Sequence, residues 1–443
     1  MQRDNQQSDN SALDVYFLIQ REEKIGHKDI DHYLPFFYFL EQAENLQFQA
    51  KGIIVGAKNR FIDSQDKRTH FLCSQSHVTV EYLYSNPVWI DALEYVAIKS
   101  VFWGRPARLM LKVFSPRRKS KNNELNIWKE KLGHDYLKSK SPLILALHLN
   151  SRVIPVINIF RALNKNAKWA VIPHGTSICD NAMVMASDMG LTNEIKVQNM
   201  FQYVDYFVRT SEREKDDAIA EGIDPDKVVV IGSPRFCKEW LNIKTENCLD
   251  GPMPECGKGK VKILFLIPKR HINIFTEELI RTIDFISRYD DIELILNRSS
   301  RNYPPLSDEI LKRQNVHDYL ISTDYSTSSL IEWADLVFHS ATGILFESFM
   351  RNKITVFPRY LTSNTLISEI YDAGITLKNR DELRNLCIQA TTSLTELQHQ
   401  YFTRYGENNA RYIEDFVSGG KGSVPNKIIS VVEKIRSDFS VPV

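Results

Sequence analysis

No Walker lysine motif, no Gly-x-Gly-x-x-Gly and no His-Glu-x-x-His occurs anywhere in the chain. These absences remove the phosphate loop, the dinucleotide fingerprint and the helical zinc-protease motif. Two Asp-x-Asp pairs are present, Asp29-Ile30-Asp31 and Asp224-Pro225-Asp226. The first reads as a helix start and the second as a turn before a strand, so neither reads as a metal-diphosphate site. The expected chemistry therefore uses no metal and no resident cofactor. The six cysteines, Cys73, Cys179, Cys237, Cys248, Cys256 and Cys387, form no C-x-x-C, and none clusters with histidine at zinc spacing. Scattered thiols suit a reducing cytoplasm. Residues 1–11 are polar and show no apolar signal-peptide core. The densest apolar run near them, residues 34–40, is too short to span a bilayer. A formal net charge of +1 leaves no bulk field to recruit nucleic acid. There is no internal repeat and no low-complexity tract. The expected location is the cytoplasm, with at most peripheral contact at the inner face of the cell membrane.

What is present is an ordinary soluble composition, 43% hydrophobic and 25% charged, over 443 residues, long enough for two domains. Short runs rich in Val and Ile alternate with amphipathic segments. Candidate strands fall at 13–19, 52–55, 143–147, 169–172, 206–208 and 227–231, and in a second series at 262–267, 292–296, 336–338 and 354–357. Helical patterns lie between them, as at 211–221, 276–288, 307–313 and 343–350. The alternation predicts an α/β fold of two Rossmann-like, doubly wound parallel-sheet domains facing a cleft. Residues 242–260 lack a clear period and carry Gly251, Pro252, Pro254, Gly257 and Gly259. The division is thus 1–245 for the first domain, 246–260 for the linker and 261–443 for the second domain with its helical tail. A final helix near 427–437 has no assigned docking partner from sequence.

Ligands of such sheets bind beyond the carboxyl ends of the strands. In the second domain the stretch His339-Ser340-Ala341-Thr342-Gly343 follows a short apolar strand, with Ser340 placed as an N-cap. Its small residues let backbone amides approach an anion. Glu347 then stands among Ile344, Leu345, Phe346, Phe349 and Met350. A carboxylate in that setting needs partners. These are either ligand hydroxyls, as on a ribose, or a protein amide or arginine. Lys269 and Arg270 follow the strand at 262–267 and are placed to neutralise a leaving diphosphate. Asn297-Arg298-Ser299-Ser300-Arg301 forms a weaker candidate after the strand at 292–296.

In the first domain His148 follows one strand and His174 another, the latter ahead of Gly175, Thr176 and Ser177. A histidine near its free pKa suits removal of a proton from an acceptor hydroxyl. His27, Asp14 and Asp180 are weaker candidates. Gly232-Ser233-Pro234-Arg235 ends the last strand of this domain, where Ser233 allows close backbone approach and Arg235 can reach a phosphate. The stretch from Ile98 to Asn123 has no acid, and Arg105, Arg108, Lys112, Arg117, Arg118, Lys119 and Lys121 alternate there with Phe102, Trp103 and several aliphatics. Such a surface from Arg105 to Lys121 can meet an anionic membrane or hold an anionic glycan or lipid-linked acceptor.

Several of these segments resemble one family. The two-domain layout is similar to GT-B glycosyltransferases. The run from Trp333 to Pro358 resembles the donor-binding unit of bacterial capsule and wall-polymer transferases, including CDP-glycerol glycerophosphotransferases. Pro173-His174-Gly175-Thr176 looks like the His-Gly element of that group, and the run from Ser211 to Arg235 like its last helix–strand unit before the linker. The resemblance implies His174 as catalytic base or acceptor-site residue, donor phosphate at Ser340, Thr342 and Gly343, and ribose at Glu347. His339-Ser340-Ala341-Thr342 stands where the glycerophosphotransferases carry Thr-Asp-Tyr-Ser, and Glu347 where they tend to carry Asp, which favours a sugar donor over CDP-glycerol. The expected activity is a metal-independent, inverting transfer of sugar from a nucleotide-sugar to a glycan or lipid-linked acceptor in bacterial surface polysaccharide synthesis. The alternatives are a CDP-glycerol-type transferase, a nucleotide-sugar 2-epimerase and a non-catalytic subunit of a polysaccharide-synthesis complex.

Overall fold

The computed structural model of the protein describes residues 13–20, 30–43, 46–58, 67–85, 121–147, 153–173, 175, 204–268, 274–298, 306–320, 325–340 and 342–440. Two sheets organise them. The first contains β1 (Leu13–Gln20), β2 (Phe48–Lys58), β3 (Val78–Ser85), β4 (Pro142–Ala146), β5 (Lys168–Val171), β6 (Tyr206–Arg209) and β7 (Val228–Val230). The second contains β8 (Val261–Ile267), β9 (Ile292–Arg298), β10 (Val316–Leu320), β11 (Leu336–Phe338), β12 (Ile354–Pro358) and β13 (Ile375–Leu377). Their spatial orders are β3-β2-β1-β4-β5-β6-β7 and β10-β9-β8-β11-β12-β13. All the pairings within these two sheets are parallel. Each order reverses once, between β1 and β4 and between β8 and β11, and each reversal makes a crevice at the carboxyl ends.

Parallel strands covered on both faces are apolar on both faces. In β1, Leu13, Val15, Phe17 and Ile19 enter one core while Tyr16 and Leu18 enter another across the sheet. In β8, Ile263, Phe265 and Ile267 divide in the same way from Leu264 and Leu266. This is the two-residue period of a strand, expressed twice. The doubly wound α/β expectation holds, and ten of the strands coincide with apolar runs seen in the sequence. The three that do not, β3, β10 and β13, are all sheet edges. Their sequences, VTVEYLYS, VHDYL and ITL, are polar-interrupted or very short, as exposed edges are.

The structure refines two expectations. The helix Lys238–Glu246 runs through residues assigned to the aperiodic segment, so the connector is shorter and starts near residue 247. The final helix, Val424–Ser440, packs on the first domain rather than its own. Val424, Ile428, Val432 and Ile435 enter the core that holds Tyr33 and Phe37 of the helix Ile30–Glu41. Lys168 Nζ donates to the Asp438 carbonyl at 2.9 Å. The chain crosses back at Val417, whose carbonyl accepts from Ser233 N at 2.6 Å. Gly232, at φ 83°, permits this approach, since a Cβ there would stand 2.5 Å from the Val417 oxygen.

The crossing helix is expected to be part of one cooperative core. Ile428→Ala should cost about 2–5 kcal/mol of unfolding free energy in a urea titration, the range for a fully buried isoleucine. A loss below about 1 kcal/mol would place the helix outside that core.

Candidate functional site

The strand β11 ends at Phe338, next to the second switch point. His339 and Ser340 follow and are fully buried. The His339 ring stacks on Phe357 of β12, centroids 5.8 Å apart. Its Nδ1 and the Ser340 hydroxyl have no hydrogen-bond partner among the described residues. Two asparagines at the same edge share this condition. Asn297, near the end of β9, accepts from Thr327 Oγ1 at 3.1 Å but leaves its amide nitrogen unpaired. Asn364, on the loop beyond β12, has neither end of its amide paired. Buried polar side chains are almost always bonded, so four incomplete ones along one carboxyl edge mark where a ligand or water can bond.

Thr342 and Gly343 lie in a turn ahead of the helix Leu345–Met350. That helix has Ile344 at its N-cap and no side-chain cap bond, so Ser340 is not its cap, and Gly343 does not share a helical face with Glu347. A Cβ at Gly343 would meet nothing within 4 Å, so the turn is open on that side.

Glu347 is held by protein at both oxygens. Oε2 accepts from the Ser328 hydroxyl at 2.9 Å, and Oε1 from Arg351 Nε at 2.9 Å with Lys244 Nζ at 3.4 Å. Lys244 also pairs with Asp250 at 2.9 Å, and Arg351 with Asp250 at 3.0 Å and Glu332 at 2.7 Å. Of the two kinds of partner open to this acid from sequence, the structure supplies the protein cations. Burial alone would raise the Glu347 carboxyl, but Lys244, Arg351 and the Ser328 hydroxyl outweigh it and hold it down to about 2. For His339 nothing offsets burial, which lowers the ring to about 3 and keeps it neutral.

In the first domain, Gly175, Ser233 and Arg235 come together. With His32, Pro173, Thr210, Pro234 and Phe236 they line a small cavity of about 10 Å³ at the carboxyl ends of β5, β6 and β7. Arg235 lies over the Phe236 ring, 5.1 Å to its centroid, and pairs with no carboxylate among the described residues. Phe236 in turn packs on Phe346, 6.0 Å between centroids, so the segments that follow β7 and β11 meet across the junction. Asp14 is at the other edge, second in β1, where it accepts from the Ser139 hydroxyl, and is removed from the candidates. Arg298 is engaged with Asp318. His27, His148, His174, Thr176, Asp180, Lys269, Arg270 and Ala341 lie outside the described residues, as does the basic stretch from Arg105 up to the helix that begins at Lys121. No helix among the described residues is long and apolar enough to cross a membrane.

Sequence reasoning missed His32, His339 as a group in its own right, and Asn364. A signal was present for His32, which follows the Asp-Ile-Asp helix start just beyond β1 at the first switch point. None was present for Asn364, which is placed by a loop. A larger cavity of about 440 Å³ lies elsewhere, between the helix Lys238–Glu246, the turn at Arg351 and residues 410–418, and includes none of the candidates.

The fold is GT-B, two Rossmann-like halves in one chain. No family model matches the sequence, and no curated protein does. Solved structures do match it along nearly its whole length. A putative UDP-N-acetylglucosamine 2-epimerase from Listeria monocytogenes is 12% identical with a TM-score of 0.52, over 96% of each chain. The UDP-GlcNAc 2-epimerase from Neisseria meningitidis bound to UDP-GlcNAc is 12% identical with a TM-score of 0.52, over 95% of this chain and 100% of that one. The wall teichoic acid polymerase TagF, as a variant soaked with CDPG, is 12% identical with a TM-score of 0.51, over 96% of this chain and 89% of that one. At such identity the likeness establishes the architecture.

The two buried titratable groups act in separate pH windows. His339, neutral in the fold, favours the folded state fully above its free value of 6.5, and that contribution is lost as pH falls toward 3. Glu347 contributes fully above 4.5 and loses its contribution as pH falls toward 2. His339→Asn is expected to flatten stability against pH between about 6.5 and 4.5, by up to about 1.4 kcal/mol per pH unit. Glu347→Gln should flatten it only below about 4.5, and should cost about 3–5 kcal/mol at neutral pH by stranding two buried cations. Urea midpoints across pH check both, and an unchanged slope in the His339 variant would show that its ring is not kept neutral.

Proposed function

We propose that the protein binds a nucleotide-sugar at the carboxyl edge of its second sheet and transfers the sugar to a hydroxyl acceptor held by the first domain, without a metal. The observation that carries this reading is the row of incomplete polar groups at Asn297, His339, Ser340 and Asn364, gathered at a switch point of the fold. Their chemistry suits an uncharged, hydroxyl-rich and amide-bearing ligand such as a ribose, a base or a sugar. Arg235, paired with no carboxylate among the described residues, supplies a cation on the facing segment, where charge develops on a departing diphosphate. Lys269 and Arg270, just beyond β8, are assigned the same task. His174 is assigned as the base that takes the acceptor proton, since it stands between Pro173 and Gly175 of the first-domain cavity. Nucleotide-bound proteins of the same fold, one holding UDP-GlcNAc and one soaked with CDPG, support this class of ligand. Glu347 is assigned to hold the helix in place and not to the ribose.

Ligand screening by melting temperature against UDP, GDP, CDP and their sugar conjugates is expected to give a selective rise for one nucleotide. The Ser340→Ala variant separates a ligand role from a structural one. It removes a hydroxyl with no protein partner, so the unliganded protein should melt at the same temperature or higher, while nucleotide-sugar affinity falls about 2- to 12-fold. A variant that melts lower yet binds equally well would refute the site. His174→Ala should retain donor affinity and lose turnover. Formation of an epimer from a UDP-sugar with no acceptor present would replace the transferase reading with an isomerase.

A further inference from the structure

On β9, Glu293, Ile295 and Asn297 share one face of the second sheet. Asn297 is at the carboxyl end, among the incomplete polar groups. Glu293 is at the amino end and is 5% exposed. His317, second in the edge strand β10, pairs in register with Ile295 and so projects to the same side, where its Nε2 meets Glu293 Oε1. Cys256, in the connector leading into β8, completes a group of three. The Cys256 thiol, a Glu293 carboxylate oxygen and a His317 ring nitrogen all lie within 4.8 Å of one another.

The connector is built to reach this spot. Trp333 Nε1 donates to the Cys256 carbonyl at 3.0 Å. Gly257 adopts φ 79° and lies so close to Glu293 that a Cβ would stand 3.0 Å from the glutamate's own Cβ. Lys260 holds the other carboxylate oxygen, Oε2, at 3.2 Å, which leaves Oε1 toward the histidine and the thiol. The His317 ring is stacked parallel to Tyr319, 6.1 Å between centroids, which fixes its plane. Thiolate, imidazole and carboxylate from three separate segments are the donor set of a borderline-soft divalent ion, zinc above all. Sequence spacing conceals the group because 37 residues and then 24 separate its members along the chain.

We infer that Cys256, Glu293 and His317 form a zinc-binding site that clips the interdomain connector to the amino edge of the second sheet, at the opposite end of that sheet from the nucleotide site. Three protein ligands leave a fourth position for water. Binding deprotonates the thiol and releases its proton to solvent. Because the thiol must lose its proton to bind, uptake should strengthen as pH rises.

The full chain, stripped of metal with a chelator and dialysed, is titrated with Zn²⁺ against a chromophoric chelator and separately with Co²⁺ followed by absorbance. Stoichiometric Zn²⁺ binding and a thiolate-to-cobalt charge-transfer band in the near ultraviolet are expected. Cys256→Ser should abolish the band, and His317→Gln should weaken Zn²⁺ binding by at least about tenfold, a loss that even outer-shell partners of a metal carry. Both side chains are partly exposed, so both variants should stay folded without metal, which a cooperative thermal transition checks. Zn²⁺ should raise the melting temperature of the unaltered chain and not of Cys256→Ser. Substoichiometric binding by the unaltered chain overturns the site. So does a charge-transfer band that survives Cys256→Ser, or Zn²⁺ affinity indifferent to His317→Gln.

Discussion

A single acid inside an apolar helix sets the geometry of the junction between the two halves. Glu347, 1% exposed, can be ionised there only because Lys244, Arg351 and Ser328 surround it. Lys244 belongs to the last helix of the first half, Ser328 and Arg351 to the second, and Asp250, shared by both cations, to the connector. Arg68 continues the chain of charges from Asp250, at 3.9 Å, to Asp31 at the start of the helix Ile30–Glu41, at 2.6 Å. Breaking one buried pair in such a network costs about 3–5 kcal/mol, against a total stability of about 5–15 kcal/mol for an ordinary domain. The helix Leu345–Met350 is therefore fixed by charge as much as by Phe346 and Phe349, and with it the turn that presents His339 and Ser340.

The interior of both sheets is legible from sequence because buried parallel strands announce themselves as short unbroken apolar runs. Three of their four edges are not, because an edge strand such as VHDYL is written in polar residues and looks like a loop. The same limit hides the Cys256, Glu293 and His317 cluster, one member of which sits on that edge. Glu347 is legible as an acid in need of partners, and Arg351 lies one turn on, but Lys244 is not legible as a partner, since it is 103 residues away. The final helix is legible as amphipathic, yet amphipathicity says only that a face is buried and not against what. The assignments of Lys269 and Arg270 rest on the strand they follow, and that of His174 on its strand and on its neighbours Pro173 and Gly175.

The two ends of the second sheet are used differently. At the carboxyl end the strands stop in turns of small residues and leave polar groups incomplete at Asn297, His339 and Ser340. At the amino end the comparable groups are engaged, with Lys262 N on Asp335, Lys260 and His317 on Glu293, and Trp333 on the connector. Unpaired groups destabilise the protein unless a ligand completes them, whereas paired ones stabilise it without a ligand. An edge that carries several unpaired groups is therefore where binding energy can be gained, and the engaged edge is where rigidity is kept.

That division locates the pivot for any closure of the halves. The connector from Asp250 onward is fastened to the second half. Arg351 holds the Asp250 carboxylate and Ser329 donates to its carbonyl at 3.1 Å, Trp333 holds Cys256, and Gly257 lies on Glu293. Residues up to Glu246 are fastened to the first half as a helix. Residues 247–249 turn the chain off that helix, with Leu249 N bonded to the Lys244 carbonyl, and Cys248 among them adopts φ 50°, uncommon for a non-glycine residue. The returning crossing is as short. The helix Leu394–Ile413 buries Tyr401 and Tyr405 in the second half, while the Val417 carbonyl is bonded to Ser233 of the first, with a π-helical turn, Glu414–Ser418, at the crossing. Both crossings are short and irregular, the kind of segment that absorbs the backbone change of a hinge. Lys244 and Glu347 join the two halves next to the first of these crossings, and Phe236 and Phe346 join them again where the segments after β7 and β11 meet.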